Sequence, residues 1–271
     1  MPPAPPLHLP ARRPDGHKGS YGRVLVVAGR RGMTGAAVLC GSAALRGGAG
    51  LVQVACPADV QDVVSLGNPC YLTAGWGDDP LATLKPLAEA ADVLAVGPGL
   101  GDVTFVRDLL LAVPDTPAVV DADGLRAFLS DPPRRTGPTV LTPHPGEFAR
   151  LVGKTVPEVQ ADRGGLATAY AASHGVVVLL KGTGTVVTDG SRLTLNRTGN
   201  PGMATGGTGD VLTGLLAAFM GQGLSAFDAA VLAAWAHGYA GDLAAADLGQ
   251  VALTAADVLG YLPAAVRVVE G

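Results

Sequence analysis

The strongest constraint on this chain is a repeated unit. A short apolar run stops at or near glycine, proline or aspartate, and a stretch able to form a helix follows. Six runs have this character, at positions 23–28, 51–55, 93–97, 118–121, 139–141 and 176–180. Strands buried on both faces of a parallel sheet read as continuous aliphatic runs rather than as alternating apolar and polar residues. Between them lie helical candidates, 35–45 closing at Arg46-Gly-Gly, then 103–112, 156–173 and 228–246. The alternation predicts an α/β chain with a mostly parallel central sheet, helices on both faces, and ligands at the carboxyl ends of the strands. Residues 185–188 and 192–195, separated by Asp189-Gly190-Ser191, instead predict an antiparallel hairpin that extends the sheet.

Length of 271 residues allows one large domain or two small ones, but nothing between Lys18 and Leu259 resembles a linker, which predicts a single domain over 15–271. Residues 1–14 are proline-rich, so they are expected to be extended or disordered and without chemistry. The formal charge of −4, with scattered Lys and Arg, offers no basic field for nucleic acid. Cys40, Cys56 and Cys70 are odd in number and lack metal or redox spacing, so they are expected to be buried thiols of a reducing compartment. No apolar stretch is long enough to span a bilayer and no h-region follows basic residues at the N-terminus, which predicts a cytoplasmic protein.

The chemistry concentrates in residues 196–214, Asn-Arg-Thr-Gly-Asn-Pro-Gly-Met-Ala-Thr-Gly-Gly-Thr-Gly-Asp-Val-Leu-Thr-Gly. The glycines let backbone approach a ligand closely, and an apolar run from Val211 supplies a helix whose first amides lack internal partners. Gly206, Gly207, Thr208 and Gly209 thus form an anion hole. Asp210 stands where that helix is expected to begin, able to take a proton from a hydroxyl and activate it toward a phosphoryl group held by the same amides. The plainer alternative is an N-capping aspartate beside a tight turn.

Other strand ends carry further candidates. Gly97-Pro-Gly-Leu-Gly101 follows a strand, but Asp102 occupies the place of the last glycine of a dinucleotide fingerprint, and no P-loop motif is present. Lys181-Gly182-Thr183-Gly184-Thr185 places a cation beside flexible amides and is suited to a nucleotide phosphate, the alternative being a solvated lysine ahead of the hairpin. In Thr142-Pro-His144-Pro-Gly-Glu147, the carboxylate of Glu147 is a candidate to hold Mg2+ through water, and His144 to bind substrate or relay a proton; alternatively Glu147 caps the next helix and His144 is exposed. Asp121 and Asp123 end a strand and either contact ligand or metal or set the turn. His237, with Trp235 and Tyr239 nearby in an alanine-rich helix, reads as a packing residue.

Taken in order, His17-Lys-Gly-Ser-Tyr-Gly-Arg-Val-Leu-Val-Val-Ala-Gly29, Thr34-Gly-Ala-Ala, Ala43-Ala-Leu-Arg-Gly-Gly-Ala-Gly-Leu-Val52, Gly97-Pro-Gly-Leu-Gly101, Asp121-Ala-Asp123, Thr142-Pro-His-Pro-Gly-Glu147, Lys181-Gly-Thr-Gly-Thr185 and 199–214 span nearly the whole chain. The set resembles the ADP-dependent NAD(P)H-hydrate dehydratases, repair enzymes on the ribokinase-like fold. The resemblance implies the S epimer of hydrated NADH or NADPH as substrate, ADP as co-substrate, Mg2+ as cofactor, and AMP with phosphate as products. It puts hydrate contacts on Ala36 (or, one residue on, Ala37), Gly101, His144 and Asp210, and AMP contacts on Lys181 to Thr185 and Gly209. It also implies a homotetramer and a hydrate epimerase as functional partner. A short tail precedes the first motif here, so the epimerase is expected on a separate chain.

Two other readings use the same residues. An ATP-dependent small-alcohol kinase of the hydroxyethylthiazole or hydroxymethylpyrimidine type would employ Asp210 in the same way but form a stable phosphorylated product. A nucleotide-binding module without catalysis would gain little from a carboxylate beside the phosphates.

Overall fold

The computed structural model describes residues 4–101 and 103–270. Nine strands, β1 Arg23–Val27, β2 Leu51–Pro57, β3 Leu72–Trp76, β4 Val93–Val96, β5 Ala118–Val120, β6 Thr139–Leu141, β7 Val177–Leu180, β8 Val186–Thr188 and β9 Leu193–Leu195, form one sheet. Their order is β3-β2-β1-β4-β5-β6-β7-β8-β9; neighbours from β3 through β7 are parallel, while β8 pairs antiparallel with both β7 and β9. The helices are α1 Thr34–Arg46, α2 Gln61–Gly67, α3 Pro80–Glu89, α4 Val106–Ala112, α5 Pro145–Val152, α6 Val156–Ala161, α7 Arg163–His174, α8 Thr208–Gly221, α9 Ala226–Leu248 and α10 Ala255–Val269.

The pleat explains why the strand runs are apolar throughout. Val24 and Val26 pack with α1, α8, α9 and α10 on one face, whereas Leu25 and Val27 pack with α3, α4, α5 and α7 on the other. Strand order reverses between β1 and β4, the place where an open α/β sheet leaves a crevice. The loops leaving those two strands meet there, Gly29 N–H donating to Pro98 O at 2.8 Å.

Several boundaries differ from expectation. The segment 156–173 is two helices because Asp162 leaves helical geometry and its side chain accepts the Gly165 amide, capping α7. The helix expected from 103 starts at Val106. Strand β3 escapes the apolar-run pattern because it lies at the sheet edge, contains Gly75 and is mostly half-buried. From Ala4 onward the tail carries no helix or strand before Lys18 yet is docked, with Leu9 buried and its N–H donating to Val269 O at 2.8 Å; residues 1–3, Asp102 and Gly271 lie outside the described residues. Cys40 and Cys56 are buried as expected, whereas Cys70 is exposed. Among the described residues no helix is long and apolar enough to cross a membrane.

Candidate active site

Helix α8 begins at Thr208, three residues earlier than the apolar run suggests. Gly207 takes the N-cap position at φ 94, a left-handed geometry costly for other residues. Asp210 therefore sits inside the first turn rather than in front of it. The N-cap makes no side-chain hydrogen bond, and the same holds for α1, whose N-cap is Met33. The remaining helices of eight or more residues are capped by side chains, namely Asp79, His144, Asp162, Ser225 and the Thr254–Asp257 box. Helices α1 and α8 pack closely, since a β-carbon placed at Gly214 would come within 2.0 Å of Cys40 O. Unpaired helix N-terminal amides with a favourable dipole suit an anion.

Behind the α8 terminus lies a buried charge cluster. Lys181 Nζ donates to Asp121 Oδ1 at 2.7 Å, and Thr213, one turn into α8, donates to Asp121 Oδ2 at 2.8 Å. A β-carbon at Gly209 would lie 3.2 Å from Lys181 Nζ, so the start of α8 rests against this ion pair. Asp210 accepts no hydrogen bond among the described residues. Burial pushes its carboxyl up to about 7, with Asp121 and Glu147 adding to the rise and Lys181 opposing it. Burial alone would pull Lys181 down, but Asp121, Glu147 and Asp210 outweigh it and raise the ammonium. Lys181 is thus paired with Asp121 rather than solvated, which corrects the plainer of the two sequence readings, and it sits beside the start of α8.

The rest of the 181–185 loop is held from α7. Arg163 donates from Nη1 to Thr183 O at 2.7 Å and from Nη2 to Leu180 O and Lys181 O at 2.9 and 3.1 Å. Thr185 Oγ1 donates to Gly182 O, so its hydroxyl proton is used within the loop, whereas Thr183 is exposed. The segment leading into α8 is fastened to α9, with Asn196 Nδ2 to Ala234 O, Thr198 Oγ1 to Trp235 O, and Gly199 N and Asn200 Nδ2 to Asp242. His237, on the same helix, is mainly pushed by burial to about 4 and is neutral; its Nε2 has no hydrogen-bond partner among the described residues.

At the end of β6, His144 and Glu147 form a reciprocal cap on α5. His144 Nδ1 accepts the Gly146 and Glu147 amides at 3.0 and 3.3 Å, while Glu147 Oε2 accepts His144 N–H at 2.8 Å. With Nδ1 used as an acceptor, the imidazole proton sits on Nε2, which is 3.4 Å from Glu147 Oε1. Glu147 is buried and His144 half-exposed, so the capping geometry foreseen as the plainer alternative is present, with the imidazole still accessible to solvent. Gly101 N–H donates to Asp123 Oδ2 at 2.8 Å, and Arg126 Nη1 donates to Gly101 O at 3.3 Å. Gly99 packs on Ala36, whereas Ala37 is fully buried beneath Gly29, so Ala36 is the nearer of the two to the Gly97–Gly101 loop.

Among the described residues no three His, Cys, Asp or Glu side chains are grouped to hold a metal ion. Asp121 and Glu147 spend their oxygens on Lys181, Thr213 and His144, leaving Asp210. A hard cation that keeps much of its water and is shared with ligand phosphates fits such a set, and three coupled carboxylates facing one lysine favour added positive charge. Thr213, Arg163 and Asp242 were not singled out from the sequence. Thr213 had a signal, since it falls one helical turn after Gly209, but the partners of Arg163 and Asp242 lie far away in the chain.

Set beside known proteins, the chain has counterparts in both sequence and fold. The NAD(P)H-hydrate dehydratase profile matches residues 24–264. The chain belongs to that family. A bifunctional NAD(P)H-hydrate repair enzyme of Moorella thermoacetica is 48% identical over 97% of this chain and 52% of its own length. An ADP-dependent (S)-NAD(P)H-hydrate dehydratase of Neisseria meningitidis is 39% identical over 86% of this chain and 80% of its own. The crystal structure of the ADP/ATP-dependent NAD(P)H-hydrate dehydratase from Bacillus subtilis with ATP/Mg2+ superposes with a TM-score of 0.86 at 34% identity, covering 96% of this chain and 94% of that one. The architecture is the ribokinase-like one that the sequence resemblance implies. The chain spans about half the length of the bifunctional relatives it matches.

Proposed function

We propose that this dehydratase-family protein restores NADH or NADPH from the S epimer of the hydrate, consuming ADP and releasing AMP and phosphate. The observation that carries this reading is Asp210, a carboxyl raised to about 7 beside the open amides of α8. A base poised near neutral pH beside an anion site suits removal of a hydroxyl proton as the oxygen attacks phosphorus.

Asp210 takes the proton of the hydrate's ring hydroxyl, whose oxygen attacks the β-phosphorus of ADP. The new O–P bond forms as the bond to the bridging oxygen breaks, and AMP departs. Amides of 206–209 stabilise the phosphoryl charge, and Lys181 to Thr185 with Gly209 hold the nucleotide. Ala36, Gly101 and His144 orient the hydrate ring. The ring nitrogen's lone pair then expels phosphate, and loss of a proton from the adjacent carbon restores the dihydronicotinamide. Mg2+, when bound, would neutralise phosphate charge; Asp210 has free oxygens to face it, and Glu147 would reach it only through water, keeping its bond to the His144 amide. ATP/Mg2+ in the Bacillus subtilis relative supports a nucleotide-with-magnesium requirement. The family resemblance further supports a cytoplasmic homotetramer and an epimerase that supplies the S form.

The test is product analysis with wild-type protein, Mg2+, ADP and hydrate. Equimolar AMP, phosphate and dihydronicotinamide nucleotide are expected. A stable phosphorylated alcohol from hydroxyethylthiazole or hydroxymethylpyrimidine, with no product from the hydrate, favours the kinase reading instead.

A further inference from the structure

We propose that Arg126 and Arg150 form a phosphate subsite for the dinucleotide substrate, an inference that rests on the dehydratase reading. Past the ends of β5 and β6 lies an open cavity of about 320 Å3 walled by Ala122, Asp123, Arg126, Leu129, Glu147 and Arg150. The two carboxylates on its wall are already engaged, Asp123 by the Gly101 amide and Glu147 by the His144 amide. The two guanidinium groups are not matched in the same way. Arg126 makes one contact, to Gly101 O at 3.3 Å, and Arg150 makes no hydrogen bond or ion pair among the described residues. Both are exposed to an incoming ligand. Arg126 and Arg150 thus keep donors free for an incoming group while the carboxylates beside them already hold backbone amides, and the guanidinium fork matches phosphate oxygens.

Position decides which anion. Gly101 is held on both sides by walls of this cavity, Asp123 on its N–H and Arg126 on its carbonyl, and the His144–Glu147 turn closes the other side. A hydrate ring seated at Gly101 and His144 therefore sends its ribose and phosphates toward the arginines. The volume is at the low end for a ligand pocket, enough for a ribose phosphate and too small for a whole dinucleotide. Ala122, at φ 48 the one non-glycine residue with positive φ among the described residues, also lines the cavity. That strained geometry turns Asp121 inward to Lys181 and Asp123 outward to Gly101.

The experiment compares wild type, Arg150→Ala and Arg150→Lys on NADH hydrate and NADPH hydrate at saturating ADP, with equilibrium dialysis of each hydrate in the absence of nucleotide. Loss of the guanidinium is expected to raise KM and Kd for the hydrate about tenfold, as for one charge-assisted contact, with KM for ADP unchanged and partial recovery in Arg150→Lys. Equal losses on both hydrates assign the pyrophosphate as the ligand, and a loss confined to NADPH hydrate assigns the 2′-phosphate. Unchanged KM and Kd on both hydrates overturn the subsite. Wild-type protein that binds hydrate without turning it over refutes the dehydratase reading while leaving the Kd comparison decisive for Arg150.

Discussion

Lys181 Nζ lies 2.7 Å from Asp121 Oδ1, joining the ends of β7 and β5 beneath the first turn of α8. Because Gly209 rests against this pair and Thr213 ties Asp121 to the same helix, one buried ion pair fixes both the nucleotide loop and the anion-binding helix.

Breaking that pair from one side strands a buried charge. Asp121→Ala is expected to cost ~3–5 kcal/mol of stability, and the double variant with Lys181→Met less than Asp121→Ala alone, because the uncompensated ammonium is gone. Urea denaturation of the single and double variants measures this. A double variant less stable than either single one would contradict it.

The Asp210 carboxyl gives stability a pH dependence of definite sign. It ionises near 3.8 when unfolded and near 7 when folded, so the folded state holds the proton more tightly. The resulting penalty is absent below 3.8, grows as pH rises to 7 and is complete above it. Asp210→Asn removes the penalty and is expected to stabilise the fold by on the order of 2–4 kcal/mol above neutrality, fading in acid. Chemical unfolding at acidic and alkaline pH reads the difference.

Gly209→Ala separates folding from function. Alanine suits a helix better than glycine by about 1 kcal/mol, which offsets the cost of a small shift of the Lys181 ammonium, so the fold should persist. The added methyl sits 3.2 Å from Lys181 Nζ, against the ion pair and beside the open amides. A thermal melt together with turnover should show an intact fold and a kcat reduced at least about tenfold, the loss typical of one misaligned stabilising group.

Arg163 is expected to act on the nucleotide alone. Its three carbonyl contacts hold the 181–185 loop, so Arg163→Ala should raise KM for ADP by about tenfold while the hydrate KM moves little. Arg163→Lys, lacking the fork, should recover only part of the loss. A change confined to the hydrate KM would contradict this.

How far the sequence reveals these features follows from their range. The central strands are legible because burial on both faces forces unbroken runs such as Val24 to Val27, and the hairpin after Thr185 declares itself through Asp189-Gly190-Ser191. Edge strand β3 is not legible, since a strand with Gly75 and half-buried positions need not be apolar. The start of α8 is misread because its first turn is Thr-Gly-Asp, residues that locally favour turns and become helical only with Gly207 in the left-handed cap. Lys181 and Asp121 each stand out locally, but nothing in the chain says that they meet across sixty residues. Arg163 gives no local sign at all, because its partners are carbonyls of a loop seventeen to twenty residues away.

The most direct measurement of the account is regeneration of dihydronicotinamide absorbance from S-hydrate with Mg2+ and ADP, followed against pH for wild type and Asp210→Asn. Wild-type kcat/KM is expected to rise with pH through about 7 and then level, as the carboxyl loses its proton. Asp210→Asn, folded and still binding ADP, should lose at least about a hundredfold, the lower range for removal of a general base, and lose that acid limb as well. Near-normal turnover in the variant, or an unshifted acid limb, would contradict the assignment of Asp210 as the group that takes the proton.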